Sequence, residues 1–202
     1  MNRFLQICLF FIFFVSGQLI AQQQQVFHSK YLNRPDTVWT FTPATYSEAS
    51  QQEYPLLYLL HGWGGNFRHW DLMIDCQEYA DRYGFVIVCP DGLYDSWYIN
   101  SPVQGENQFE DFFFKDLFPF VIDHYRVDAD EVFISGLSMG GHGALYLMAK
   151  HPEKFTSAGS LSGLLKFQAW QNHYALERVL GLDERKYHRR FCISKVFGDG
   201  QD

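Results

Sequence analysis

Five residues, Gly136-Leu137-Ser138-Met139-Gly140, restrict what this chain can fold into more than any other stretch of it. A G-x-S-x-G pentapeptide seats its serine on a sharp turn between a strand and a helix, with glycines where neighbouring backbones pass too close for a Cβ. The flanks carry the matching patterns. Glu131 to Ser135 is a short buried-strand run, and Gly141 to His151 sets Ala144, Leu145, Leu147, Met148 and Ala149 at helical spacing before Pro152 ends it. The expected unit is strand, elbow, helix, with the Ser138 hydroxyl standing clear of the backbone as a nucleophile. A pentapeptide of this form also arises in chains that do no chemistry, so a second element has to agree with it.

That element lies upstream. Tyr54 to Leu60 is a strongly apolar strand run that empties into His61-Gly62-Trp63-Gly64-Gly65-Asn66. A His-Gly-x-Gly-Gly loop after a strand offers backbone N–H groups which, with the N–H of Met139, hold the oxyanion of a tetrahedral intermediate. One such donor is worth roughly 3 to 4 kcal/mol in the transition state. The plainer reading, a glycine-rich turn without a ligand, explains the loop alone but not its pairing with the elbow.

The blocks Leu57 to Gly62, Cys89 to Gly92, Ser96-Trp97-Tyr98, Lys115-Asp116-Leu117 and Gly136 to Leu145 resemble the esterase D group of α/β-hydrolases. That group includes S-formylglutathione hydrolases, feruloyl and acetyl-xylan esterases, and mycolyltransferases. The likeness runs from about Val38 to Gly163, and Ser-Met-Gly-Gly-His-Gly-Ala is its most specific part. It implies an α/β-hydrolase fold, Ser138 as the nucleophile, Met139 as one backbone oxyanion donor, and Trp63 or Gly64 as the other. It implies no metal and no organic cofactor. The implied activity is hydrolysis of carboxylic esters, with carbohydrate-linked feruloyl or acetyl esters as the expected substrates. The alternatives are an acyltransferase of the same fold and a binding protein that has lost its catalytic residues.

Composition agrees with a single folded domain. The chain has 202 residues, 47% hydrophobic and 18% aromatic, enough to bury a sizeable core and too apolar for global disorder. Its 16 basic and 23 acidic residues leave a net charge of −7, which argues against a nucleic-acid partner. The start reads as a secretory signal, residues 1–21: Arg3 precedes an apolar run of 12 residues, Phe4 to Val15, broken by Gln6, and small residues follow at Ser16-Gly17 and Ala21. A run of that length falls short of the about 20 residues a membrane span needs. The expected location is therefore secreted or periplasmic. Cys76, Cys89 and Cys192 remain after such a signal, an odd set without metal spacing.

The rest of the pattern implies a mostly parallel, doubly wound sheet with helices on both faces. Gln22 to Gln25 reads as a short polar linker within an N-terminal linker or first edge segment, 22–36, ahead of the main domain, 37–202. Thr37 to Thr42, Tyr54 to Leu60, Phe85 to Cys89, the elbow strand and Ser157 to Leu161 are the expected strands. Helices are expected over Asp71 to Tyr83, Glu110 to Tyr125 and the stretch after the elbow. Ligands in such sheets bind at the carboxyl ends of the strands, where Ser138 and the His61 loop both project.

Three further residues are candidates for the substrate pocket: His61, Trp97 and Tyr98. Each has a competing structural role, His61 in fixing its loop and the two aromatics in the core. His142 reads as structural, and Glu106, Glu110 and Asp111 read as the solvated start of a helix, favoured by its dipole.

The triad is the gap. α/β-Hydrolases order their residues nucleophile, acid, histidine, with the histidine on a loop after the last strand. Downstream of Ser138 stand His142, His151, His173 and His188, and no histidine follows Asp199 or Asp202. Asp183 with His188 keeps the order but lies in a polar stretch unlike the catalytic loops. The reading adopted is that the chain ends before the strand carrying the acid and the loop carrying the histidine. Loss of the base in a serine hydrolase costs on the order of 10⁶ in turnover. The 202 residues alone are therefore expected to show negligible hydrolysis of 4-nitrophenyl acetate, and a longer form ending in a Gly-x-His loop to be active. Robust turnover by the 202-residue chain, abolished by Ser138→Ala, would sink this expectation.

Overall fold

The computed structural model describes residues 21–167 and 173–181. The expected signal segment, apart from Ala21, lies outside them, as do Asp183, His188, Cys192, Asp199 and Asp202.

The strands are β1 (Gln22–Phe27), β2 (Asp36–Phe41), β3 (Tyr54–Leu60), β4 (Val86–Pro90), β5 (Val127–Leu137) and β6 (Ser157–Leu161). They form one sheet in the order β1-β2-β4-β3-β5-β6. The pairs β4–β3, β3–β5 and β5–β6 are parallel, while β1–β2 and β2–β4 are antiparallel, so the sheet is parallel through its centre and antiparallel at one edge. The fold is that of an α/β-hydrolase.

The alternation of side chains along the central strands explains why both faces are covered. Leu56, Tyr58 and Leu60 of β3, Val86 and Val88 of β4, and Val132 and Ile134 of β5 enter one core. Leu57 and Leu59, with Ile87 and Cys89, point the other way into a second one. Neither face can be left wet, and each receives helices. The second face takes Trp70 of α1 (His69–Ile74) and Cys76 and Ala80 of α2 (Cys76–Tyr83). Where one helix was expected, Asp75 adopts φ 47° and splits it, and its carboxylate caps α2 by accepting the Glu78 amide at 3.1 Å. Cys76 and Cys89 are buried free thiols here, and burial pushes the Cys89 thiol well up.

The first face takes α3 (Phe109–Phe112), a π-helical turn (Phe113–Leu117) and α4 (Phe118–His124), one continuous helical stretch where the sequence predicts a helix. Phe113 is its anchor: fully buried, it packs against Tyr58 at 4.9 Å between ring centroids and against Phe118 and Phe155. The same core receives α5 (Met139–Lys150) and the short α6 (Leu176–Leu180).

One reading needs correction. Gln22 to Gln25 is not a linker: it is most of β1, paired residue for residue with β2. Gln22, Gln24 and Gln25 are exposed, Gln23 accepts the Tyr125 hydroxyl at 3.2 Å, and Phe27 packs edge-on against Phe112 and Phe120.

Phe113→Ala is expected to cost about 3–5 kcal/mol, the range for deleting a buried phenylalanine. Leu72→Ala, at a site 78% exposed, is expected to stay within about 0.5 kcal/mol. Urea denaturation of both variants checks the contrast.

Candidate active site

Ser138 stands at the carboxyl end of β5 with φ 54° and ψ −112°, a backbone conformation an L residue adopts only at a cost of order 1–3 kcal/mol. Its side chain is exposed, as the elbow reading requires. Two backbone bonds hold the strain: the Ser138 amide donates to the Leu161 carbonyl of β6 at 2.8 Å, and its own carbonyl accepts the His142 amide at 3.0 Å. The flanking glycines are obligatory on space alone. A Cβ on Gly136 would lie 2.2 Å from the Gly140 carbonyl oxygen, and one on Gly140 would lie 2.1 Å from that of Leu60.

Met139 is the first residue of α5, so helix geometry leaves its N–H without an intrahelical acceptor. The positive end of the 12-residue helix points the same way. Because β3 and β5 are adjacent and Leu60 pairs with Gly136, the loop after β3 is carried alongside the elbow. A Cβ on Gly62 would stand 3.6 Å from that of Ser138. In that loop the Gly64 amide is already committed, donating to the Tyr94 carbonyl at 2.8 Å, and Gly65 donates back to Gly62 at 3.0 Å. Gly64 is thereby corrected as a donor candidate. Among the described residues no acceptor takes the Trp63 amide.

The three pocket candidates are buried rather than lining the surface at Ser138. The His61 ring nitrogens meet the carbonyl oxygens of Gly62, at 2.6 Å, and of Asp91, which fastens the loop; burial lowers the ring's pKa, and in the neutral form its single N–H serves only one of the two carbonyls. The Tyr98 hydroxyl donates to the His61 carbonyl at 2.9 Å. The Trp97 indole donates to the Tyr174 carbonyl at 3.2 Å, and the Trp97 carbonyl meets His142 Nδ1 at 3.2 Å. His142 is buried beneath the elbow as expected of a structural residue. Glu110 is less solvated than expected, because its carboxylate accepts the Tyr146 hydroxyl at 2.6 Å.

The aromatic surface beside the elbow is made by different residues. Trp63, 37% exposed, stands 4.8 Å from the Tyr94 ring and 5.6 Å from the Tyr174 ring, both pairs inclined at 69°. Tyr94 and Tyr174 are 48% and 43% exposed. Tyr94 also lies 3.5 Å from where a Gly64 Cβ would be, so the trio borders the loop itself. The segment bearing Tyr174 is fastened by Arg178 to Asp95, by the Gln104 amide to the Arg178 carbonyl at 3.0 Å and by the Ser101 hydroxyl to the Val179 carbonyl at 2.6 Å. Sequence spacing gave no signal for this trio, because residues 63, 94 and 174 meet only through the fold.

Among the described residues no histidine ring makes a hydrogen bond with the Ser138 hydroxyl, and no group of three or more His, Cys, Asp and Glu side chains gathers as a metal site would. An open cavity of about 630 Å³ lies at the opposite end of the sheet, lined by Tyr46, Glu53 and Arg126 among others; it is remote from the strained serine.

The comparisons with known proteins agree with this geometry. The chain is 38% identical over 120 residues to Esterase Rv1288 of Mycobacterium tuberculosis, a match covering 56% of this chain and 26% of that protein. It is 29% identical over 191 residues to an acetyl esterase of Caldicellulosiruptor saccharolyticus, covering 89% of this chain and 68% of the relative. Among solved structures, a ferulic acid esterase superposes with a TM-score of 0.71 at 26% identity, over 90% of this chain and 72% of the other. The chain thus spans about a quarter of the length of the mycobacterial relative. The Esterase family model matches residues 29–188, so the chain belongs to the Esterase family.

Proposed function

We propose that the protein is a serine esterase that works through an acyl-enzyme on Ser138. The observation that carries the reading is the strained, exposed Ser138 at the start of α5 with the loop after β3 beside it, a Cβ on Gly62 standing 3.6 Å from that of Ser138; the Met139 and Trp63 amides are the proposed donors. Ser138 Oγ attacks the ester carbonyl carbon, and the carbonyl oxygen takes the negative charge between those two N–H groups. Collapse expels the alcohol and leaves the acyl group on Oγ; water then attacks the acyl carbon and releases the acid. The Ser138 proton goes to a histidine that the described residues do not bring to it. No metal or organic cofactor has a part in these steps.

For substrate we propose carbohydrate-linked acyl esters met outside the cytoplasm, of acetyl or feruloyl type. This rests on the names of the similar proteins, acetyl esterase and ferulic acid esterase, and on the secretory pattern of residues 1–21. Within that class the Trp63–Tyr94–Tyr174 surface favours an acyl group with a planar ring, since an acetyl ester leaves three exposed rings unused.

With the protein as its gene encodes it, a fluorophosphonate probe is expected to leave one adduct by intact mass, absent from Ser138→Ala. No adduct together with no 4-nitrophenyl acetate hydrolysis would overturn the esterase reading. Tyr174→Ala is expected to raise KM for methyl ferulate by about three- to tenfold, the worth of one aromatic contact. The 4-nitrophenyl acetate KM should move less than about twofold, within the small effect of a surface change; equal effects on both would remove the ring from the specificity argument.

A further inference from the structure

A buried carboxylate on the far side of β4 is tied to the loop beside Ser138 through an unbroken chain of polar contacts. Asp36, the first residue of β2, is fully buried. Its Oδ2 accepts the Gly92 amide at 3.1 Å, and its Oδ1, at 3.2 Å, shares the Asp91 amide with the Thr37 carbonyl, which accepts it at 2.8 Å. These are the two amides that follow β4. The Asp91 carbonyl in turn meets His61 Nε2. Gly92, at φ 66°, is pressed so close that a Cβ would stand 2.7 Å from the Tyr98 ring and 2.9 Å from His61 Nε2. The Gly92 carbonyl accepts the Ser96 hydroxyl, Ser96 Oγ accepts the Tyr98 amide at 3.0 Å, and the Tyr98 hydroxyl returns to the His61 carbonyl. The turn after β4 is thus clamped from below by Asp36 and grips the His61 ring from above.

The geometry points to Asp36 as a positioning residue for the loop His61 to Gly65, holding the Trp63 amide beside Ser138 without touching substrate. This rests on the proposed role of that loop as an oxyanion donor. A buried carboxylate without such work is costly: desolvation and the neighbouring Asp91 charge push the Asp36 carboxyl well up, and the Asp91 and Gly92 amides, followed by Arg34, paired to Asp91 at 3.3 Å, offset only part of it. The groups facing Asp36 are Asp91, Arg34 and the Tyr98 hydroxyl. Two acceptors on one rigid fork suit two successive amides, and an asparagine cannot replace them, since its NH₂ would face an N–H.

The test reads the loop directly. In Asp36→Asn, amide hydrogen exchange at Gly64 and Gly65, which are hydrogen-bonded in the native loop, should accelerate about ten- to hundredfold, the factor for losing a buried hydrogen bond and leaving its partner unsatisfied. Val132→Ala, a core truncation in β5, should raise exchange across the sheet without singling out those two amides. The rate of fluorophosphonate attachment to Ser138 should fall by a similar factor in Asp36→Asn and not in Val132→Ala. Should the asparagine variant not fold, Asp36→Ser, smaller and with one acceptor, is read the same way. Loop exchange no faster than in Val132→Ala overturns the proposal, and so does selective loop opening with an unchanged attachment rate. If the wild-type protein takes no adduct at all, the esterase reading fails, while the exchange ratio still decides whether Asp36 holds the loop.

Discussion

The site depends on one steric fact: three backbones pass at the carboxyl ends of β3 and β5 with no room for a side-chain atom between them. Gly136 and Gly140 exist at that crossing because any Cβ would overlap a carbonyl oxygen. Their contact brings the first turn of α5 against the end of β3, which fixes where the Ser138 hydroxyl and the Met139 amide can be. The unfavourable φ of Ser138 is tolerated because both its amide and its carbonyl are hydrogen-bonded, one to β6 and one within α5. A strained residue persists only where its surroundings over-determine it, and here a strand on one side and a helix on the other do so.

Around that crossing the protein has placed polar groups that do structural work in an apolar setting. His61, Tyr98, Ser96 and Asp36 are all buried, and each spends its polar atoms on backbone groups of the loops at the sheet's carboxyl end. Hydrogen bonds in such low-dielectric surroundings are strong when made and costly when lost, which makes the loops less free than their exposed tips suggest. The exposed aromatic rings then sit on a stiff base.

Much of this was legible in the sequence. The elbow, its strand and helix, and the span Tyr54 to Leu60 follow from local patterns that tertiary structure had no reason to override. What escaped did so for identifiable reasons. β1 is written in glutamines, and its pairing with β2 runs through backbone groups that leave no mark on side-chain periodicity. Asp75 breaks a helical pattern that hydrophobic spacing alone continues. Gly64 looks like a free donor until the fold brings the Tyr94 carbonyl to it. Trp97 and Tyr98 sit in a motif that resembles its family and were read toward the substrate, yet the fold turns both inward and brings Tyr94 and Tyr174 to the surface instead. Asp36 is an ordinary loop acid in the sequence, and only its burial gives it meaning.

The first turn and a half of α5 contains Gly140, Gly141 and Gly143. Each lowers intrinsic helicity by about 1 kcal/mol relative to alanine, so this stretch has little tendency to coil before its neighbours are in place. The helix that carries Ser138 into position therefore depends on packing against β3, β5 and the ring of Tyr98 rather than on its own propensity. Displacing those neighbours would misalign the serine, so the exposed hydroxyl is only as well aimed as the core beneath it is packed.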